Sequence, residues 1–203
     1  MRATLALLLL FLALSACRRQ PPEDMDDLGV VPAWSATAED GRPIGTAQLR
    51  GKVWVVNFLF TSCPTSCPPL ARATAQLQER LRALLPKGEP PAVQIVSITV
   101  DPETDTPAVL RDFARQYAAD PKLWHFATLG NYDATEKLVT EGFLSQVLRP
   151  DPAPGASKPN AVDTAHSLHF VVVDQHGHIR GKWDKDAGGI EATLAAVRYL
   201  ADL

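Results

Sequence analysis

The chain has 203 residues, of which 46% are hydrophobic and 21% charged, and a formal net charge of −3 at pH 7. That length fits one globular domain, able to bury about 70% of its unfolded surface without covalent staples. The nearly neutral balance gives no electrostatic case for nucleic acid, so no nucleic-acid partner is expected.

The first seventeen residues, MRATLALLLLFLALSAC, read as a targeting segment. Arg2 precedes an apolar run from Leu5 to Leu14, followed by the small residues Ser15 and Ala16 and then Cys17. This is the layout of an export signal over residues 1–16, and the run is short for a membrane span. Leu14-Ser15-Ala16-Cys17 resembles a bacterial lipobox, in which Cys17 carries the lipid and becomes the mature first residue. The expected location is the bacterial cell envelope, with a lipid anchor in a membrane and the domain facing the periplasm or the exterior. In that oxidising setting thiols close into disulfides unless a reductant or a metal intervenes. Residues 17–30, polar, acidic and proline-bearing, read as a tether to a domain over 31–203.

Strands and helices then alternate. KVWVVNFLF (52–60) is the continuous apolar run of a strand buried on both faces. Pro68 opens a helix to about Leu85, with Leu70, Leu77, Leu81 and Leu84 at helical spacing. AVQIVSITV (92–100) is a second buried strand, and Asp105 or Thr106 caps a helix with Pro107 in its first turn. WHFATL (124–129) is a shorter strand, followed by a short helix from Asp133 to about Glu141. Residues 148–165 form a proline-bearing segment without periodicity. LHFVVVD (168–174) and HIRGKW (178–183) flank a turn as a hairpin, and IEATLAAVRYL (190–200) is a closing helix. This order is that of an α/β thioredoxin-like sandwich: a central mixed sheet flanked by helices, with an N-terminal extension. A flavodoxin-like sheet, the alternative, lacks the terminal hairpin.

FLFTSCPTSCPPL (58–70) sets Cys63 and Cys67 in the turn from the first buried strand into the first long helix. The carboxyl end of a sheet strand is where open α/β folds bind ligands. A helix N-terminus there favours thiolate, the form that attacks disulfides and binds metals. Three residues separate the cysteines, which suits a disulfide that opens and closes, a permanent one, or a pair presented to one soft ion such as Cu(I). A third ligand has to come from another loop. Of the five histidines, His176 and His178 fall at the hairpin turn and His125 and His169 within strands. His166 stands at the end of the long proline-bearing segment, just before a buried strand, and segments of that length are commonly functional.

Three stretches resemble the Sco/SenC family of copper proteins. FTSCPTSCP (60–68) is similar to its Cys-Pro-x-x-Cys-Pro motif, VDPETDTP (100–107) to its Asp-x-x-x-Asp-Thr-Pro segment, and HSLHFVVVD (166–174) to its metal-binding histidine and following strand. The resemblance covers about residues 30–200. It implies a membrane-tethered thioredoxin-like domain that binds one copper, as Cu(I) or Cu(II), and helps assemble the CuA centre of cytochrome c oxidase. Carried over by position, the metal ligands are Cys63, Cys67 and His166, and Asp101 and Asp105 match an acidic pair linked to docking or metal transfer. The implied partners are the CuA-bearing oxidase subunit, a copper donor and a thiol reductant. Some members act as thiol-disulfide oxidoreductases, in which case Cys63 and Cys67 are the redox pair; otherwise the protein is a metallochaperone and not an enzyme. His169 stands as a weaker substitute ligand, because DTA separates Val162 from His166.

Overall fold

The computed structural model describes residues 20–86, 91–148, 165–166 and 168–203. The signal segment, Cys17 and the stretch 149–164 lie outside the described residues, and of His166 only the backbone is described.

The apolar run at 52–60 becomes β3 (Val53–Leu59), every residue of which is buried. Burial on both faces follows from its neighbours. β4 (Val93–Thr99) runs parallel on one side, and β8 (His169–Val173) antiparallel on the other. β5 (Trp124–Thr128) lies parallel to β4, and β9 (Ile179–Asp184) closes the hairpin with β8. In the turn of that hairpin Asp174 Oδ1 accepts from the backbone N–H groups of His176 and His178. Gly177 there has φ +90°, a left-handed conformation that disfavours side chains.

A short hairpin, β1 (Ser35–Ala38) and β2 (Pro43–Gly45), with a single helical turn α1 (Thr46–Leu49), extends the sheet beyond β5. The resulting order is β2-β1-β5-β4-β3-β8-β9, the mixed, helix-flanked sheet of the thioredoxin-like class. The flavodoxin-like alternative falls with the terminal hairpin.

The helices α2 (Cys67–Leu84) and α3 (Pro107–Gln116) make the β3-to-β4 and β4-to-β5 crossovers. Right-handed crossovers in one direction along the sheet put both on one face. The buried bond from Asn57 Nδ2 on β3 to Thr74 Oγ1 on α2 marks that face. α5 (Ala187–Leu200), capped by Asp186 Oδ1 accepting from Gly189 N–H, packs there against α2. α4 (Tyr132–Lys137) runs into a π-helical turn, Leu138–Gly142, instead of the single α-helix expected to Glu141. The turn delivers Phe143 to the opposite face, edge-on to Phe58 at 5.5 Å, Trp54 at 6.1 Å and Trp34 at 6.3 Å between ring centroids. Phe143 is fully buried, so Phe143→Ala is expected to cost about 3–5 kcal/mol. Urea unfolding measures it; a loss below about 1 kcal/mol would show that the pocket collapses around the deletion.

Residues 26–31 lie along β9: Asp26 N–H donates to Arg180 O, Leu28 N–H to Ile179 O, Ile179 N–H to Gly29 O and Val31 N–H to Gly177 O. Asp27 bonds the His178 ring at 3.0 Å. An acidic segment thus covers an edge strand that would otherwise expose unpaired backbone groups.

Candidate metal centre

β3 ends at Leu59, and the chain turns through residues 60–66 into α2, whose first residue is Cys67. Cys67 is fully buried and Cys63 is 7% exposed; both are thiols. The turn folds the two sulfurs inward by backbone bonds. Cys67 Sγ accepts from Phe60 N–H at 3.5 Å, and Cys63 Sγ accepts from Cys67 N–H at 3.3 Å. Cys63 Sγ also lies 3.3 Å from Ser66 Oγ.

The two thiols are chemically unequal. Burial pushes the Cys63 thiol up, but hydrogen bonds from Ser66, the Cys67 amide, the Cys67 thiol and the Thr65 amide outweigh it, bringing it down to about 7 from 9.0. For Cys67 burial dominates and drives the thiol up, reinforced by neighbouring Cys63 and only partly opposed by the Phe60 amide. Cys63 is therefore the nucleophile in waiting, and Cys67 the thiol that keeps its proton until something displaces it.

Behind the turn sits a buried carboxylate. Asp105 Oδ2 accepts from Thr61 N–H at 3.0 Å and from Thr99 Oγ1 at 2.5 Å, while Oδ1 accepts from Thr61 Oγ1 at 2.5 Å. Asp105, expected to serve in docking or metal transfer, has no exposed surface, so its side chain offers no direct contact to a docking partner. Nor does it cap α3; Thr106 does, with Oγ1 accepting from Val109 N–H. Burial, with the charge of Asp101, raises the Asp105 carboxyl against the pull of its threonine bonds. Asp101 is half-buried just after β4, its carbonyl accepting from the N–H groups of Thr104 and Asp105. Its Oδ2 is buried and has no hydrogen-bond partner among the described residues.

Sequence reasoning passed over Thr61, Ser66 and Thr99. The signal for Thr99 was a hydroxyl inside an apolar run next to an Asp-rich turn; Thr61 and Ser66 look like any turn residues.

The histidines separate cleanly. His125 bonds Gln94 Oε1 at 2.8 Å, with Glu39 3.7 Å from its other ring nitrogen, at the amino ends of β4 and β5 away from the cysteines. His169 is half-buried, its Nε2 3.2 Å from Ser145 Oγ, and burial foremost, then Lys182, lowers its basicity. β8 pairs with β3 as Val173 with Trp54 and Val171 with Val56, so the amino end of β8 lies toward the carboxyl end of β3. Its first residue is His169, and His166 stands three residues before it in the chain. β7 (Ala165–His166) pairs with β6 (Val147–Leu148), His166 opposite Val147. No three His, Cys, Asp or Glu side chains converge among the described residues.

A thioredoxin-like sheet with a two-thiol turn at its carboxyl end and a histidine-bearing strand led toward that end defines a class of thiol and metal-handling proteins. Within that class the chain belongs to the SCO1/SenC family, which matches residues 23–202. It is 31% identical to the SCO1 homolog of Bacillus subtilis over 91% of this chain and 86% of that protein. A protein of Stutzerimonas stutzeri named for copper binding is 27% identical over 74% of this chain and 67% of its own length. Among solved structures, BsSco, described with a disulfide switch and as a member of the Sco family of cytochrome c oxidase assembly proteins, superposes with a TM-score of 0.72. That match has 25% identity and covers 91% of this chain and 99% of the other.

Proposed function

We propose that this chain is an exported, membrane-anchored copper chaperone, which binds one copper through Cys63, Cys67 and His166 and helps assemble the CuA centre of cytochrome c oxidase. The observation that carries this reading is the inward-turned, unequal thiol pair at the sheet end toward which β8 and the residues before it lead. Two cysteine sulfurs are a soft donor set that suits Cu(I), and an imidazole extends the set so that Cu(II) is tolerated. The names of the relatives support copper as cargo and the oxidase as acceptor.

In this reading Cys63, nearer the surface and readily ionised, meets the incoming copper first, and Cys67 closes on it while releasing its proton. Three donors leave room for a cysteine or histidine of the acceptor, so transfer is ligand exchange. When the pair has closed to a disulfide, a thiol reductant must return two electrons before copper can bind. MRATLALLLLFLALSAC supports export and a lipid on Cys17, which holds the domain at the membrane where the oxidase subunit is metallated.

The thiol asymmetry also favours a second reading. A Cys63 thiolate attacks a disulfide of the oxidase subunit, forming a mixed disulfide and expelling one thiolate. Cys67 then displaces the second, leaving the substrate dithiol reduced and Cys63–Cys67 oxidised.

Copper titration of the reduced protein tests the first reading. His166→Ala is expected to weaken binding by more than the about 100-fold that losing a group hydrogen-bonded to a ligand costs. His169→Ala, whose ring is held by Ser145, is expected to stay within about tenfold of the parent. If His166→Ala binds copper normally and still supports oxidase assembly while Cys63→Ser does not, the reductase reading replaces the chaperone.

A further inference from the structure

The Asp105 carboxylate is buried at the foot of the cysteine turn, and none of the roles above uses it. Three donors converge on it: the backbone and the hydroxyl of Thr61, and the hydroxyl of Thr99. Thr99 is the last residue of β4, a central strand paired on both sides, and Thr61 lies two residues before Cys63. The carboxylate thus ties the start of the turn to the rigid end of the neighbouring strand. Thr99 Oγ1 also accepts from Asp101 N–H at 3.0 Å, so the loop after β4 shares the same anchor.

We propose that Asp105 is a positioning residue for the cysteine turn, fixing it to the end of β4 through Thr61 so that both sulfurs keep their inward geometry. The proposal rests on Cys63 and Cys67 being the functional pair. Inside the turn the backbone bond is long, with Cys63 N–H donating to Phe60 O at 3.4 Å. Ser66, at the helix N-terminus, makes no side-chain cap, and the internal bonds to the sulfurs are long, 3.3–3.5 Å. Sulfur bonds of that kind depend on the backbone being held from outside. A turn released from Asp105 loses the alignment of Cys67 N–H and Ser66 Oγ on Cys63 Sγ, and with it the advantage of the thiolate.

The role is positional and does not need the charge. An amide at this place can accept from Thr61 N–H and Thr99 Oγ1 through its oxygen. Its NH2 group then donates to Thr61 Oγ1, whose hydroxyl rotates to donate elsewhere.

The experiment compares Asp105→Asn, Asp105→Leu and Thr61→Val in the reduced domain, reading the pH midpoint of Cys63 alkylation and the thiolate-to-Cu(II) absorption after copper addition. Asp105→Leu is expected to raise the midpoint by about one unit, about a fivefold loss of thiolate at pH 7, and to weaken the absorption. Thr61→Val, which keeps the branched shape and the backbone bond, shifts both in the same direction by less, and decides the matter if Asp105→Leu does not fold. Asp105→Asn restores both to near the parent. Variants that melt earlier yet keep the midpoint and the absorption would show Asp105 to be a fold residue only, and the proposal fails. Asp105→Asn as damaged as Asp105→Leu would overturn it in favour of a role for the charge. If the parent itself takes up no copper, the copper reading falls, and the alkylation midpoints still judge Asp105.

Discussion

Alkylation of the reduced, copper-free protein at pH 7 is expected to modify Cys63 and to leave Cys67 untouched. With its thiol brought down to about 7, Cys63 is half ionised there, whereas Cys67, raised above 9.0, holds less than about 1% thiolate. Ionisation alone favours Cys63 by at least about 50-fold, of which its lower basicity cancels up to about tenfold. Access then decides the outcome: Cys67 has no exposed surface, so a reagent reaches it only through local opening of the turn. The net selectivity is expected to exceed about 100-fold. The rate at Cys63 should climb about tenfold per pH unit below 7 and level off above it. Ser66→Ala, which removes the strongest of the bonds that lower Cys63, should move that midpoint back toward 9.0. Mass spectrometry of the labelled peptides reads the selectivity directly. Similar rates at the two cysteines would mean that the turn does not hold the sulfurs as described.

What could be read from the sequence was whatever burial dictates. β3 and β4 are buried from end to end and mostly apolar because each is paired on both sides and covered on both faces, so their bounds fell within a residue or two of expectation. The terminal hairpin showed through its turn chemistry. The β1–β2 hairpin did not, because three- and four-residue edge strands leave no periodicity to detect. The π-helical turn was read as a continuous helix because Leu138 and Val139 satisfy either geometry.

At the site the asymmetry is similar. Cys63 and Cys67 were legible as a pair because their chemistry is rare, whereas the side chain of His166, which the resemblance names, lies outside the described residues. Asp105 was visible as an acid but misjudged in role, since docking presumes exposure and exposure is settled only by the packing of Thr61 and Thr99 around it. The inequality of the two thiols lies one step further on. Two cysteines of the same sequence motif differ only because one opens a helix in full burial and the other accepts its N–H from a nearly closed rim.

Copper uptake should carry that inequality into its pH dependence. Both sulfurs bind as thiolates, so each cysteine still protonated must release a proton. At pH 8 Cys63 has already ionised and an ordinary imidazole, near 6.5, is already neutral, which leaves only the Cys67 proton. The expected release is about one proton per Cu(I), where two ordinary thiols would give nearly two. Below pH 7 Cys63 regains its proton, so the release rises toward about two. Proton release on binding means that affinity falls as pH falls. The dissociation constant should therefore rise about tenfold per unit near pH 8, more steeply below 7, and roughly a thousandfold in all from pH 8 to 6. Cys67→Ser should lower the slope at pH 8 toward zero along with the affinity, because the one proton still held there is gone. Competition titrations with a Cu(I) chelator across this range measure the slope. A value near two at pH 8 would show that Cys63 meets copper as a thiol, and the view of Cys63 as the entry ligand would fall with it.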